Sequence, residues 1–359
     1  MNTRIFKLNS GRSIIFTTMK AWIIDKICDL TSESHPLKQI ELPKPEPKEG
    51  ELLIKVSTCG ICHTEIDEIE GRTPPSVFPV VPGHQVVGTV EQTGEKESSI
   101  KTGDRVGIAW IFSACGKCHY CLSGNENLCE DFRATGRDVN GGYAEYMVVP
   151  ERYAYPIPGF FTDTEAAPLL CAGAIGYRSV TLAGMGAGKR IGLTGFGASA
   201  HLVLKLIRYQ YPQSEIYVFA RSQKEREFAL ELGAQWAGDT SYKPPFLLDC
   251  IIDTTPVWEP VVRALECLKP GGRLVINAIR KESIDKEYLL KIDYPRHLWM
   301  EKEIKSVANV TRQDVKSFIR IAAEMHLKPE VEIYPFEDAN QAIMDIKQKR
   351  IKGAKVLLL

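Results

Sequence analysis

Four cysteines crowd into residues 115–129, in the run Cys115-Gly-Lys-Cys118-His-Tyr-Cys121-Leu-Ser-Gly-Asn-Glu-Asn-Leu-Cys129. Two residues separate the first pair, two the second, and seven precede the last. A structural zinc ion takes four thiolates at the corners of a tetrahedron, and CxxC steps turn the backbone tightly enough to supply them. Cys115, Cys118, Cys121 and Cys129 are therefore expected to form a zinc lobe spanning residues 113–133. Four unrelated buried thiols at this regularity, or a disulfide knot in a chain with no secretion pattern, fit less well.

The bulk numbers narrow the class. At 359 residues two domains are the natural expectation. Lys+Arg and Asp+Glu are equal at 45 each, so the formal charge is zero, which argues against an anionic nucleic-acid or membrane partner. Around the cysteines, Lys117 and Arg133 stand against Glu126, Glu130 and Asp131, whereas a zinc ribbon gripping phosphates would be basic. No apolar run approaches membrane-span length, and the stretch Ile14-Ile15-Phe16 is too short for a signal peptide. A cytoplasmic location is expected. Residues 1–18 read as an extension ahead of a first strand opening at Met19.

The first half of the chain is β-rich. Short β-prone runs at Ala21–Ile24, Glu51–Val56, Val86–Glu91 and Arg105–Trp110 are separated by Pro and Gly clusters, the pattern of a compact barrel-like domain. From Arg190 strands alternate with longer helices: strands at Ile191–Thr194, Ile216–Phe219, Leu247–Asp253 and Leu274–Ala278, helices at Ala198–Tyr209, Gln223–Leu232 and Trp258–Leu268. That alternation predicts a doubly wound parallel sheet, so the fold class is α/β. Two more helices are expected at Thr311–Met325 and Ala339–Gln348, and a last strand at Lys355–Leu359.

Gly195-Phe196-Gly197-Ala198-Ser199-Ala200 follows the first of these strands and opens a helix. In G-x-G-x-x-A the first glycine makes the turn, the second admits a pyrophosphate and the small last residue lets helix and strand pack. Gly195, Phe196, Gly197 and Ala198 are thus expected to bind a dinucleotide. The second strand ends in Ala220-Arg221-Ser222, with no carboxylate to hold a ribose 2′-hydroxyl. An arginine and a hydroxyl at that place favour NADP(H), with NAD(H) the alternative.

Cys59-Gly-Ile-Cys62-His63-Thr64, Pro82-Gly83-His84-Gln85, the four-cysteine lobe, Gly141-Gly142-Tyr143-Ala144-Glu145-Tyr146, Cys171-Ala-Gly and the glycine turn occur in this order. From about Met19 to the C-terminus the chain resembles the zinc-dependent alcohol dehydrogenases of the medium-chain dehydrogenase/reductase superfamily. The resemblance implies a GroES-like barrel at 19–171, a Rossmann domain at 172–306 and a return to the catalytic domain at 307–359. It also implies a catalytic zinc on Cys62, His84 and Cys171, in addition to the structural one. Thr64 matches the hydroxyl that starts a proton relay, and His63 a basic residue that meets the cofactor pyrophosphate. Asp67 stands where relatives often carry a relay histidine, so proton exit is expected through Asp67, water or a ribose hydroxyl. Gln85 replaces a common carboxylate. Cys59 is taken as a spectator.

The implied activity is reversible hydride transfer between an alcohol or aldehyde and a nicotinamide cofactor, in a homodimer or homotetramer. The competing readings are a zinc-containing NADPH-dependent reductase of another carbonyl and, from another class, a zinc-ribbon nucleic-acid binder. A thioredoxin-like use of Cys59 and Cys62 would place the CxxC at a helix start. These cysteines are instead expected in the β-rich half.

Overall fold

The computed structural model describes residues 2–7, 13–94, 97–348 and 353–359. It divides into two units, one of residues 1–171 with 311–359 and one of residues 172–310.

The first unit is built on a seven-stranded sheet. Its long central strand, Glu51–Ile61, pairs antiparallel with Gln85–Thr93, with Tyr146–Pro150 and with the C-terminal strand Ala354–Leu358. Arg105–Ile108, Ala154–Pro156 and Val331–Pro335 extend the sheet. The central strand is almost continuously buried, as a strand covered on both faces must be. One register matters for function. Gly60 is paired with Gln85, so in this antiparallel ladder Cys62, two beyond Gly60, comes alongside His84, one before Gln85. The return of the chain is locked in by Lys355 opposite Ile61 and Leu357 opposite Cys59.

The N-terminal segment differs from expectation. Asn2–Lys7 pairs with a strand running from Ser13 to Ile23, and Lys38–Pro43 completes a three-stranded sheet. The β-branched run through Thr17 and Thr18 carries the strand upstream of Met19. Met1 and residues 8–12 lie outside the described residues. Arg105–Ile108 ends before Trp110, the predicted end of that strand.

The second unit is a six-stranded parallel sheet in the order Trp236–Gly238, Glu215–Phe219, Arg190–Thr194, Leu248–Asp253, Leu268–Ile276, Glu303–Ser306. Strand order reverses between Arg190–Thr194 and Leu248–Asp253, the place where such sheets open a ligand crevice at their carboxyl ends. Helices Ala198–Gln210, Gln223–Glu231 and Glu259–Glu266 connect them. Tyr217, Phe219, Leu248, Ile251, Val261, Leu265 and Leu274 form a core on one side of the sheet. The fifth strand starts six residues earlier than predicted, because Leu268 already pairs with Leu248 and a register shift absorbs Pro270-Gly271-Gly272. A helix at Ala172–Leu182 was not foreseen. Among the described residues no helix is long and apolar enough to cross a membrane.

Candidate active site and metal centres

Cys62 leaves the central strand and caps the helix His63–Ile69. This corrects the expectation that the CxxC lies away from a helix start. Cys62 does stand at one, while Cys59 remains inside the strand, wholly buried. Thr64 N donates to Cys62 Sγ at 3.4 Å, and Cys62 N donates to Glu65 Oε2 at 2.8 Å. The other oxygen of Glu65 lies 2.8 Å from His84 Nδ1. One buried carboxylate therefore fixes both the turn that presents Cys62 and the orientation of the His84 ring.

His84 is held from three sides. Gly83, before it, has φ +97°, and a Cβ there would meet the Tyr143 ring at 2.3 Å and Cys59 Sγ at 2.8 Å. Gly141 and Gly142 fold over this turn, Gly142 N donating to Gly83 O at 2.9 Å. That explains why the Gly-Gly-Tyr segment accompanies the histidine. Trp110 sets its edge against the imidazole at 4.9 Å.

Cys171 follows the short turn Ala167–Leu170. The ligand atoms of Cys62, His84 and Cys171 all lie within 4.8 Å of one another, and Cys62 Sγ is 3.7 Å from His84 Nε2. Bonds of about 2.0–2.3 Å in a tetrahedral zinc site place ligand atoms roughly 3.3–3.8 Å apart, so this donor set fits a zinc ion with one position left for another ligand. The Cys171 thiol beside it, burial and Glu65 push the Cys62 thiol well up. Burial lowers the affinity of His84 for a second proton, but Glu65 and Cys62 outweigh it and the net shift is upward. A cation at the centre reverses this balance, since a coordinating thiol loses its proton.

The four lobe thiols also lie within 4.8 Å of one another, Cys115 Sγ 3.8 Å from Cys121 Sγ. Backbone N–H groups point at them: Cys118 N to Cys115 Sγ at 3.3 Å, Gly116 N to Cys121 Sγ at 3.3 Å, Cys115 N to Cys129 Sγ at 3.5 Å. The amides of Lys117 and Cys118 bring the Cys115 thiol down to about 6. Burial and neighbouring thiols push Cys121 up to about 12. The lobe is tied to the returning chain by Glu126, whose Oε1 accepts Arg312 N at 2.9 Å and Arg312 Nε at 3.0 Å.

The remaining predicted residues fall as follows. His63 is exposed at the first position of the helix and Thr64 is half-buried beside it. Asp67 is buried and engaged elsewhere, its Oδ1 accepting Arg72 Nε at 2.6 Å. Two acids went unnoticed in the sequence, Glu65 and Glu68. Glu68 is wholly buried one turn beyond Glu65, and among the described residues neither of its oxygens has a hydrogen-bond partner. Burial, then Glu65, raise its affinity for a proton far above that of an ordinary carboxylate.

In the second unit Gly195 takes φ +77°, and a Cβ there would meet Thr254 Oγ1 at 2.9 Å and Thr255 Cγ2 at 3.0 Å. Gly197 caps the helix with no side-chain partner, and among the described residues nothing lies within 4 Å of where its Cβ would point. This open cradle at a helix N-terminus suits a phosphate. Ala200 is wholly buried, as close packing of helix on strand requires, and Phe196 packs its ring on Phe228. The matching helix after the fourth strand, Glu259–Glu266, is closed to anions. The Asp285 carboxylate already accepts Trp258 N at 2.8 Å and Glu259 N at 2.7 Å. Ala220 is buried and Arg221 exposed. Ser222 Oγ caps the next helix by accepting Glu225 N at 3.4 Å.

Comparison with known proteins agrees with this geometry. The alcohol dehydrogenase GroES-like domain matches residues 48–159. The chain is 40% identical to the protein named probable alcohol dehydrogenase AdhA of Mycobacterium tuberculosis over 347 residues, 95% of this chain and 98% of that protein. It is 31% identical to an alcohol dehydrogenase of Geobacillus stearothermophilus over 353 residues, 95% of this chain and 99% of that one. A thermostable alcohol dehydrogenase from Pyrobaculum aerophilum shares the fold at TM-score 0.83 and 23% identity, covering 96% of this chain and all of that one. The chain belongs to the alcohol dehydrogenase family of the medium-chain dehydrogenases/reductases.

Proposed function

We propose that this protein is a zinc-dependent dehydrogenase that interconverts alcohols and aldehydes by hydride exchange with a nicotinamide dinucleotide. The observation that carries the reading is the pair of donor sets in one unit, a closed set of four thiolates and a three-donor set of Cys62, His84 and Cys171. A zinc ion in the three-donor set supplies Lewis acidity toward an alcohol or carbonyl oxygen. Glu65 favours the tautomer of His84 that presents Nε2 to the centre, because its carboxylate lies 2.8 Å from Nδ1. Thr64, two residues beyond Cys62, provides a hydroxyl that can accept the substrate's proton and pass on its own. Proton exit beyond Thr64 goes to water or a ribose hydroxyl, because Asp67 is held by Arg72. The lobe cysteines hold a second zinc whose work is structural.

NADP(H) is the favoured cofactor, with the pyrophosphate at Gly195–Gly197 and the 2′-phosphate at Arg221 and Ser222. Supporting this are the apolar Ala220 at the strand end and the exposed guanidinium next to it. The assembly is a homodimer or homotetramer, for which the fully exposed edge strand Glu303–Ser306 is a ready pairing surface. The test is a panel of short-chain, branched and aromatic aldehydes with NADPH and NADH, using zinc-replete protein. Consumption of reduced cofactor with at least one aldehyde class is expected. Zinc-replete protein that turns over neither cofactor with any aldehyde or alcohol contradicts the reading.

A further inference from the structure

A charged network sits where an apolar core would be simpler, at the carboxyl ends of the two central strands of the six-stranded sheet. Asp253 ends the fourth strand and is wholly buried. Its Oδ1 accepts Thr194 Oγ1 at 2.6 Å and Thr255 Oγ1 at 2.7 Å. Its Oδ2 is bound by Lys281 Nζ. The same ammonium donates to Thr255 O at 2.7 Å and Val257 O at 3.0 Å, so all three of its protons are used. The Lys281 side chain is 7% exposed. Exchanging a buried ion pair for apolar groups is commonly neutral or stabilising, so global stability does not account for this one. Its local effect is clear: Lys281 clamps the segment 254–258.

That segment has a definite place in the fold. Doubly wound sheets consist of two mononucleotide-binding halves. The loop 254–258 occupies in the second half the position that Gly195–Gly197 has in the first. It carries no glycine and its helix end is closed by Asp285, so it offers the cofactor a wall and not a phosphate site. The wall reaches the glycine turn: Thr254 Oγ1 donates to Thr194 O at 3.0 Å, and Thr254 and Thr255 border the space above Gly195. Glu282 N, donating to Pro256 O at 2.6 Å, adds a backbone tie beside the lysine.

We propose that Lys281, through Asp253, is a positioning residue for the nicotinamide half of the cofactor, holding 254–258 as the surface on which that half rests. This builds on the dinucleotide reading of the second unit. The adenosine half lies over the other strands, farther from Lys281, and is expected to depend on the clamp far less.

Binding of NADPH, and of adenosine 2′,5′-bisphosphate as its adenosine half alone, is measured for wild type and for Lys281→Met. Because Lys281→Met leaves Asp253 buried and unpaired, the double variant Asp253→Asn/Lys281→Met, which removes both charges, is measured as well. The Kd for NADPH is expected to rise roughly 10- to 100-fold, the cost of losing precise placement, with the bisphosphate Kd rising far less. The KM for cofactor rises with it, while kcat at saturating cofactor falls far less. If folded variants weaken both ligands equally, or neither, the proposal is overturned. If the wild type binds neither NADPH nor NADH, the dinucleotide reading fails and takes the proposal with it.

Discussion

Glu65 and His84 meet at 2.8 Å through Oε1 and Nδ1, both side chains shut off from solvent, while the second oxygen of Glu65 holds the backbone N–H of Cys62. One carboxylate thus orients two of the donors in the set of Cys62, His84 and Cys171. Outer partners of this kind are worth about 10- to 100-fold in metal affinity. Glu65→Ala is expected to release zinc from that set to a chelator correspondingly more readily, with the lobe zinc unaffected. Release at the wild-type rate would show that His84 needs no support.

Glu68 makes a separate statement through pH. Burial and then Glu65 push its carboxyl well above the ordinary carboxylate range in the folded chain, with Asp138 adding to the effect and His84 and Arg137 opposing it. In the unfolded chain it ionises near the ordinary value of 4.5. Between that pH and the raised folded value the native state binds the extra proton, so wild-type stability falls as pH rises, by about 1.4 kcal/mol per unit. Glu68→Gln, a neutral mimic, is therefore expected to be more stable than wild type at neutral pH. Its advantage should shrink toward pH 4. Denaturant melts of both proteins across that range check this, and a pH-independent difference would mean that Glu68 is ionised in the fold.

How much of this was legible in the sequence depends on whether the signal is local. The lobe cysteines and the glycine turn are contiguous patterns, and both emerge with the geometry their spacing requires. Cys62, His84 and Cys171 are far apart in the chain, and residue spacing alone does not join them. A strand register, Gly60 opposite Gln85, brings the first two together. Glu65 was in principle readable, since a residue that caps a helix with an acid three positions later is a known pattern. It was missed because the helix itself was not foreseen. Asp67 drew attention through its family position, yet Arg72 is its partner. Glu68, and the clasp of Glu126 on Arg312 across 186 positions, have no local signature.

The lobe should matter for folding and not for turnover. Cys118→Ser leaves three thiolates and loosens a loop that Glu126 anchors to Arg312. Structural zinc contributes folding free energy outright, on the order of several kcal/mol. The variant is expected to melt earlier and to lose the lobe zinc, with the remaining folded fraction turning over at the wild-type rate. An unchanged melting curve would count against a structural site.

Cofactor choice rests on Ala220 and Arg221. A charge-assisted hydrogen bond to a phosphate outweighs a neutral one, so NADPH is expected to bind more tightly than NADH. Ala220→Asp should reverse the order by repelling the 2′-phosphate and holding the ribose hydroxyl, and Arg221→Ala should weaken NADPH alone. Titration of each protein with both cofactors decides it. Equal wild-type affinities would contradict the assignment.

The most direct test of the account is zinc content and alcohol oxidation measured together on wild type and Cys62→Ser. The two donor sets predict two zinc ions per chain and cofactor reduction in the wild type. The variant should keep its fold and the lobe zinc and lose turnover by at least ~10²-fold, since the Lewis acid and its placement go together. A folded Cys62→Ser protein that oxidises alcohol at the wild-type rate would contradict the account.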